Sequence, residues 1–291
     1  MDRRALLLGA FACLTWSTVF VLGRLVIDRH EADPVVLGLY RFGIGGAVLL
    51  GVLLARGRGE ALGAFLAEPL RFLLLGATGG FGMGFFVFLA LSHTHSIVVQ
   101  LIMNSNPVLI VPLSLVIGER VGVGKVVGVV LGVGGCALVL GGVSPRVVAE
   151  NPHHALGGAL AALSGLCWAV YTVAGRGAVR RYGGLPTTAI STLLGGAFFL
   201  VAALARGQGL VLARPGALAG LYMGLVPTAL GFTAWYVALE KLPANVLGPL
   251  QFIVPVGGVA LAVALLGEAL TATVVVGGVL ALSGVYLSTR R

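Results

Sequence analysis

Charge is what this sequence has least of. Lys, Arg, Asp and Glu together make up 10 % of its 291 residues, where a soluble domain carries roughly 25 %. With 58 % hydrophobic residues and 46 glycines besides, too little polar surface remains to clothe a water-soluble protein of this length. Cysteine is also scarce. Cys13, Cys136 and Cys167 lie inside apolar runs without ligand spacing, so they read as small buried hydrophobes and imply neither a disulfide nor a zinc site. No loop of the form G-x-x-x-x-G-K-[ST] is present, since Gly122-Val123-Gly124-Lys125 lacks the spacing; ATP-driven work by this chain alone is excluded. Long polar connections are missing too. The longest run roughly over 55–69 and 142–153, too short for a soluble catalytic or receptor domain.

Acid in the middle of an apolar run is a further absence. All 10 Asp and Glu fall at or beyond segment ends. Ion-driven carriers commonly hold a carboxylate at mid-depth, where desolvation lifts its pKa into the working range. Its absence predicts facilitated passage down a gradient. His30, His93, His95, His153 and His154 also sit at segment ends, so no proton relay through them crosses a bilayer; His93 and His95 read as solvated turn residues. An enzyme buried in the membrane would need a nucleophile with a neighbouring buried base or acid, and the Ser and Thr here have none in sequence view.

What is present is a succession of apolar runs. Ten can be counted, at about 5–27, 34–54, 70–91, 96–117, 121–141, 154–175, 186–205, 216–239, 245–266 and 272–289, each long enough to cross a bilayer as a helix. Continuous runs of about 20 residues are helical, because barrel strands would alternate over about ten. The expected fold is therefore an all-α polytopic membrane protein. The start, Met1-Asp2-Arg3-Arg4 before an apolar run, superficially resembles a signal peptide, yet the run continues to Ile27 and reads as a retained first span. Five positive charges, Arg24, Arg29, Arg146, Arg206 and Arg214, fall at one alternate set of ends; Arg41 lies within span 2, and the rest of the 19 Lys and Arg fall at the other set. That asymmetry puts both termini in the cytoplasm of a cell with the protein in its inner membrane. The net charge of +9 serves topology, since the cations are scattered at span ends rather than clustered with aromatics as in a nucleic-acid binder.

The two halves match each other. Leu14-Thr15-Trp16 and Gly23-Arg24 of span 1 recur as Leu166-Cys167-Trp168 and Gly175-Arg176 of span 6, and Pro34 recurs as Pro186, all at an offset of 152. Gly76, Ala90, Leu91 and Pro107 recur as Gly224, Ala238, Leu239 and Pro255 at 148, and Gly118-Glu119 as Gly267-Glu268 at 149. Five spans per copy is an odd number, so the second copy enters from the opposite side. The expectation is two inverted five-helix repeats, residues 1–145 and 150–291.

Ten spans as five plus five, Trp in spans 1 and 6, Arg41-Phe42 in span 2, and Pro107 to Gly118-Glu119 echoed by Pro255 to Gly267-Glu268 resemble the EamA family of the drug/metabolite transporter superfamily. The likeness covers essentially the whole chain. Pro107 to Glu119 is one residue shorter than Pro255 to Glu268. The chain looks most like the aromatic amino-acid exporters of the YddG type. The resemblance implies export of amino acids, aromatic or neutral, or of similar small metabolites; a proton-coupled antiporter of drugs or other metabolites is the alternative it leaves open.

A solute needs a polar cavity at mid-depth, flanked by broken helices. Pro107, Pro227 and Pro255 mark the expected hinges, and the glycine run Gly79 to Gly84 in span 3 suits close packing. Amides at depth are the candidate polar contacts: Gln100 and Asn104, four apart on one face of span 4, and Gln251 in span 9. An amide offers both donor and acceptor to an ammonium and a carboxylate. The candidate aromatic lining is Trp16, Trp168, Tyr171, Trp235 and Phe252; the indole N–H groups of the matched Trp16 and Trp168 lie too deep for interfacial anchoring and either face the cavity or bond across helices. Arg41, around 10 Å from the end of span 2, is either a functional cation or a structural anchor. Arg24 and Arg176 read as boundary residues that snorkel, and Glu119 and Glu268 as groups that cap or pair at helix ends. The expected partners are a small-molecule solute and the lipid bilayer; the protein is expected to work as a monomer with no cofactor and no metal.

Overall fold

The computed structural model describes residues 2–57, 61–106, 108–109, 113, 122–142, 152–242, 250–251 and 253–289. Regular structure among them is entirely helical. In chain order the helices are α1 (Arg3–Asp28), α2 (Pro34–Ala55), α3 (Pro69–Leu91), α4 (Ser96–Asn104), α5 (Val123–Gly141), α6 (His154–Tyr182), α7 (Gly184–Ala205), α8 (Arg214–Ala238), α9 (Ile253–Leu266) and α10 (Ala272–Thr289), with a short helix Ala61–Ala67 before α3. Seven of these, α1, α2, α3, α5, α6, α7 and α8, are long and apolar enough to cross a membrane. The chain is thus a multi-pass membrane protein. Where both ends of a span are described, bounds agree with the sequence reading to within a turn, except that α6 continues from the expected 175 to Tyr182; the expected end of span 4 and start of span 9 lie outside the described residues.

Local chemistry starts these helices. Asp2 accepts from the backbone N–H of Arg4 (2.9 Å) and Ala5 (3.2 Å) at the head of α1. Asp33 does the same for Val35 (2.8 Å) and Val36 (3.2 Å) ahead of α2, where Pro34 occupies the first turn, a position whose N–H would be orphaned anyway. Between α6 and α7 the chain turns at Gly183, whose φ of +88° suits only glycine.

Side-chain ties show which helix ends lie together. At one rim, Asp2 pairs with Lys241 (3.7 Å), the last residue of the helical run that continues α8. Glu68, ahead of α3, takes Arg71, Arg181 (2.9 Å) and the Tyr182 hydroxyl (2.9 Å); that hydroxyl, then the two guanidinium groups, hold the Glu68 carboxyl below the usual carboxylate range. At the opposite rim, Gln208 after α7 donates to Asp33 (2.7 Å), and Thr271 before α10 donates to the Gly142 carbonyl (2.6 Å) after α5. Arg24 departs from the expected snorkelling. Its head group stays within the bundle, donating to the Leu91 carbonyl at the end of α3 (2.5 Å) and pairing with Asp28 (3.0 Å); an orphan helix-end carbonyl attracts a cation more strongly than water does. Taken together, the ties make consecutive helices antiparallel.

The opposite rim also carries Glu268. Its carboxylate accepts from the backbone N–H and hydroxyl of Ser96 (both 2.8 Å) and the N–H of Ile97 (2.9 Å), capping the start of α4 from across the bundle. The expectation that Glu268 caps rather than binds holds; Glu119 lies outside the described residues. Nearby, His154 Nε2 donates to the Leu140 carbonyl (2.9 Å), so in the neutral ring Nδ1 accepts from the Thr94 hydroxyl (2.6 Å). His93 and His95 are half-buried rather than fully solvated turn residues, and His95 comes within 3.9 Å of Glu268.

In packing, α1 lies on α8 and α9, while α6 lies on α3 and α4. Likewise α2 lies on α8 and α7 on α3, and α2–α7, α4–α9 and α5–α10 close the set. The α5–α10 pair meets backbone to backbone: a Cβ on Gly135 would overlap Ala281 and Gly277. Without a hydrophobic drive between helices in lipid, such close approach is what holds them. Four helices widen locally into π-type turns, at Tyr40–Ile44, Gly76–Gly82, Gly224–Leu230 and Ala262–Leu266.

Candidate functional site

Pro227 lies in the widened segment of α8 and has no N–H, which denies the carbonyl of Met223, four residues earlier, the donor a regular α-turn would give it. The Thr228 hydroxyl replaces that donor at 2.8 Å. Pro227's own carbonyl is taken by a different helix: the indole N–H of Trp16, midway along α1, donates to it at 2.8 Å. The break in α8 is therefore closed by its own side chain on one turn and by α1 on the next. Trp16 also packs against Phe232 and Trp235, each with ring centroids 5.4 Å away. One turn toward the Glu268 rim, the Thr18 and Tyr222 hydroxyls meet at 3.2 Å.

A second group forms on α6, α7 and α8. Trp168 and Tyr171 lie 5.2 Å apart, and the Tyr171 hydroxyl stands 3.4 Å from both Thr188 and Ser191. Thr188 in turn meets the Tyr236 hydroxyl at 2.5 Å. The Tyr171 ring sits where a Cβ on Gly79 would be, in the widened segment of α3. Unlike its counterpart, the Trp168 indole makes no hydrogen bond among the described residues.

The third group joins α4 to α9. Gln100, fully buried, donates from Nε2 to the Val254 carbonyl (2.6 Å), beside the buried Pro255. The amide fills the space over Gly258, and its Oε1 has no partner among the described residues. Asn104 turns back on its own helix, donating to the Gln100 carbonyl (2.8 Å). Gln251 is exposed. Pro107 and Phe252 lie outside the described residues.

Of the residues expected from sequence, Trp16, Pro227 and Trp235 come together, Trp168 and Tyr171 form another pair, and Gln100 meets the Pro255 turn. Thr228 and Thr188 were not anticipated, although a threonine directly after a mid-span proline is the signal for a hydroxyl that repairs the break. Arg41 is buried beside the first group. Its guanidinium lies 4.7 Å from the Phe42 ring centroid and 5.9 Å from that of Phe88, with Nε 3.4 Å from the Thr228 hydroxyl.

The chain matches the EamA-like transporter family over residues 3–141 and again over 155–290, and it belongs to that family. An uncharacterized transporter of Archaeoglobus fulgidus is 28 % identical over 294 residues, covering 100 % of this chain and 99 % of that protein. The aromatic amino acid exporter YddG of Ancylobacter novellus is 30 % identical, covering 87 % and 85 %. A probable terminal-alkyne amino-acid exporter of Streptantibioticus cattleyicolor is 26 % identical over 96 % of this chain and 91 % of that one. A crystal structure at 27 % identity superposes with a TM-score of 0.68 over 98 % of this chain and 96 % of its own. The protein is a membrane transporter.

Proposed function

We propose that this transporter exports amino acids, aromatic or neutral, across the inner membrane by alternating access between two inverted five-helix repeats, residues 1–145 and 150–291. It acts as a monomeric facilitator with both termini in the cytoplasm. Trp16, Trp168, Tyr171, Trp235 and Phe252 supply ring surfaces to the solute, and Gln100, Asn104 and Gln251 supply amides. Pro107, Pro227 and Pro255 act as hinges.

The observation that carries this reading is the unequal use of two equivalent breaks. The widened segments Gly76–Gly82 and Gly224–Leu230 are related by the same offset of 148 that relates the halves in sequence. Within them Pro227 corresponds to Gly79, and Trp16 corresponds to Trp168. In this conformation Trp16 is bonded to the Pro227 carbonyl, while Trp168 leaves the Gly79 carbonyl alone. Exchange of the two arrangements, Trp168 closing on Gly79 as Trp16 opens from Pro227, would present the same aromatic surfaces to the other side. The main packing contacts support the exchange, because swapping each helix for its counterpart five places on turns α1–α8 into α6–α3, α1–α9 into α6–α4 and α2–α8 into α7–α3, and leaves α2–α7, α4–α9 and α5–α10 as they are. Relatives that are amino-acid exporters by name support the solute class.

The test is uptake into liposomes of labelled tryptophan, threonine and a cationic dye, with and without a pH gradient. Saturable amino-acid flux indifferent to the gradient is expected. Accumulation driven by the gradient would overturn the facilitator reading, and dye transport alone would overturn the solute class.

A further inference from the structure

We propose that Arg41 is the group that recognises a carboxylate on the transported solute, so that this protein selects solutes bearing an anionic end. The assignment rests on the carrier reading above and narrows its solute class.

Arg41 is 7 % exposed, yet no carboxylate among the described residues stands within ion-pair distance of it. Its one hydrogen bond among the described residues, from Nε to the Thr228 hydroxyl, is long at 3.4 Å, and the Phe42 and Phe88 rings lie beside the guanidinium. A guanidinium has five N–H donors in a fixed fork, so four are left without a described acceptor. A buried cation in a membrane protein is costly unless it is paired or faces a cavity. Four other cations, all near helix ends, are paired with carboxylates: Arg24 with Asp28, Arg71 and Arg181 with Glu68, Lys241 with Asp2.

The setting argues for a ligand rather than a scaffold role. At the repeat offset of 152 the counterpart of Arg41 is Leu193, so the architecture does not require a cation at this place. The residue sits in the widened turn Tyr40–Ile44, and single π-type turns inside α-helices concentrate at functional sites. Thr228 already donates to Met223, so toward Arg41 it only accepts. This fixes one edge of the guanidinium and leaves the Nη edge for a two-point contact with a carboxylate. Next to Thr228 is Pro227, whose carbonyl holds Trp16 against Phe232 and Trp235. A carboxylate at Arg41 and an apolar ring at Trp16 are thus the two ends of one recognition path along α8.

The test uses the purified full-length protein and pairs of probes that share a ring and differ in the carboxylate: tryptophan against tryptamine, and indole-3-propionate against indole. Binding is read in detergent and flux in liposomes. Wild-type protein is expected to prefer the carboxylate of each pair by roughly tenfold to a hundredfold, the span of a charge-assisted contact. Arg41→Gln should abolish that preference by weakening the carboxylates and leaving tryptamine and indole unchanged, and Arg41→Lys should fall between. A folded Arg41→Gln protein that weakens all probes alike, or none, overturns the proposal. Should that variant fail to fold, the wild-type preference decides, and equal affinity within each pair overturns it. A wild-type protein that binds the carboxylates but moves no solute sinks the carrier reading and leaves Arg41 assigned. Equal KM for tryptophan and tryptamine does the reverse.

Discussion

Glu268 and Gln100 are both buried polar side chains that join α4 to α9, and their hydrogen bonding separates their roles. All three of Glu268's acceptor contacts are to the first turn of α4, so removing it strands two N–H groups and a hydroxyl in a buried place. Glu268→Ala is expected to destabilise the protein by about 2 kcal/mol or more, read as a drop in melting temperature in detergent; Glu268→Gln should lose less because one acceptor oxygen remains. Gln100 has only one bond and an orphaned Oε1. An apolar replacement removes the unsatisfied Oε1 but also withdraws the donor from the Val254 carbonyl. Gln100→Leu is expected to cost about 1–3 kcal/mol and to lose tryptophan flux if the orphaned oxygen serves the solute as proposed. Unchanged flux would return Gln100 to the role of inter-helix glue.

Helix breaks carry the account at the next scale. Pro227 can be tested apart from its repair. Pro227→Ala restores the N–H that Met223 lacks and should favour a regular helix there, slowing flux with stability kept or raised. Thr228→Val keeps the break but withdraws the hydroxyl from both Met223 and Arg41, and should cost about 1–3 kcal/mol. Comparing melting temperatures of the two variants separates hinge from repair. The existence and bounds of the long helices were legible in the sequence because hydropathy acts on runs of about 20 residues, and a proline in the middle of span 8 pointed to the break at Pro227. What pattern alone did not carry was partner choice across helices. Nothing local to Trp16 names the Pro227 carbonyl, and nothing local to Arg24 names Leu91. Those contacts depend on which helices pack together, between residues 211 and 67 positions apart in the chain. Gln100 was legible as a buried amide, but not as one sealed against Gly258.

At the scale of the whole molecule, the rim of Glu268 is tied by hydrogen bonds and histidines, and the rim of Glu68 by ion pairs. Burial holds the His95 imidazole below its ordinary value of 6.5, outweighing the nearby Glu268 carboxylate, with Arg24 and His154 adding to the lowering and Asp28 opposing it. His93 is lowered the same way, chiefly by burial and then by His153. A histidine whose folded pKa is depressed contributes stability that is complete above 6.5 and lost as pH falls below it, since the unfolded chain takes up the proton first. Melting temperature should therefore fall as pH drops from about 7 toward 5, and the double variant His93→Asn, His95→Asn should flatten that dependence. An unaltered slope in the variant would place the sensitivity elsewhere.

Alternating access is the central claim, and trans-stimulation reports on it most directly. Liposomes loaded with unlabelled tryptophan and diluted into labelled tryptophan should take up label faster than empty ones and pass through a transient overshoot, because solute inside lets the carrier return loaded instead of empty. Uptake that is linear in concentration and indifferent to solute inside would mean a continuous pore, and would contradict the exchange of Trp16 and Trp168 closures on which the account rests.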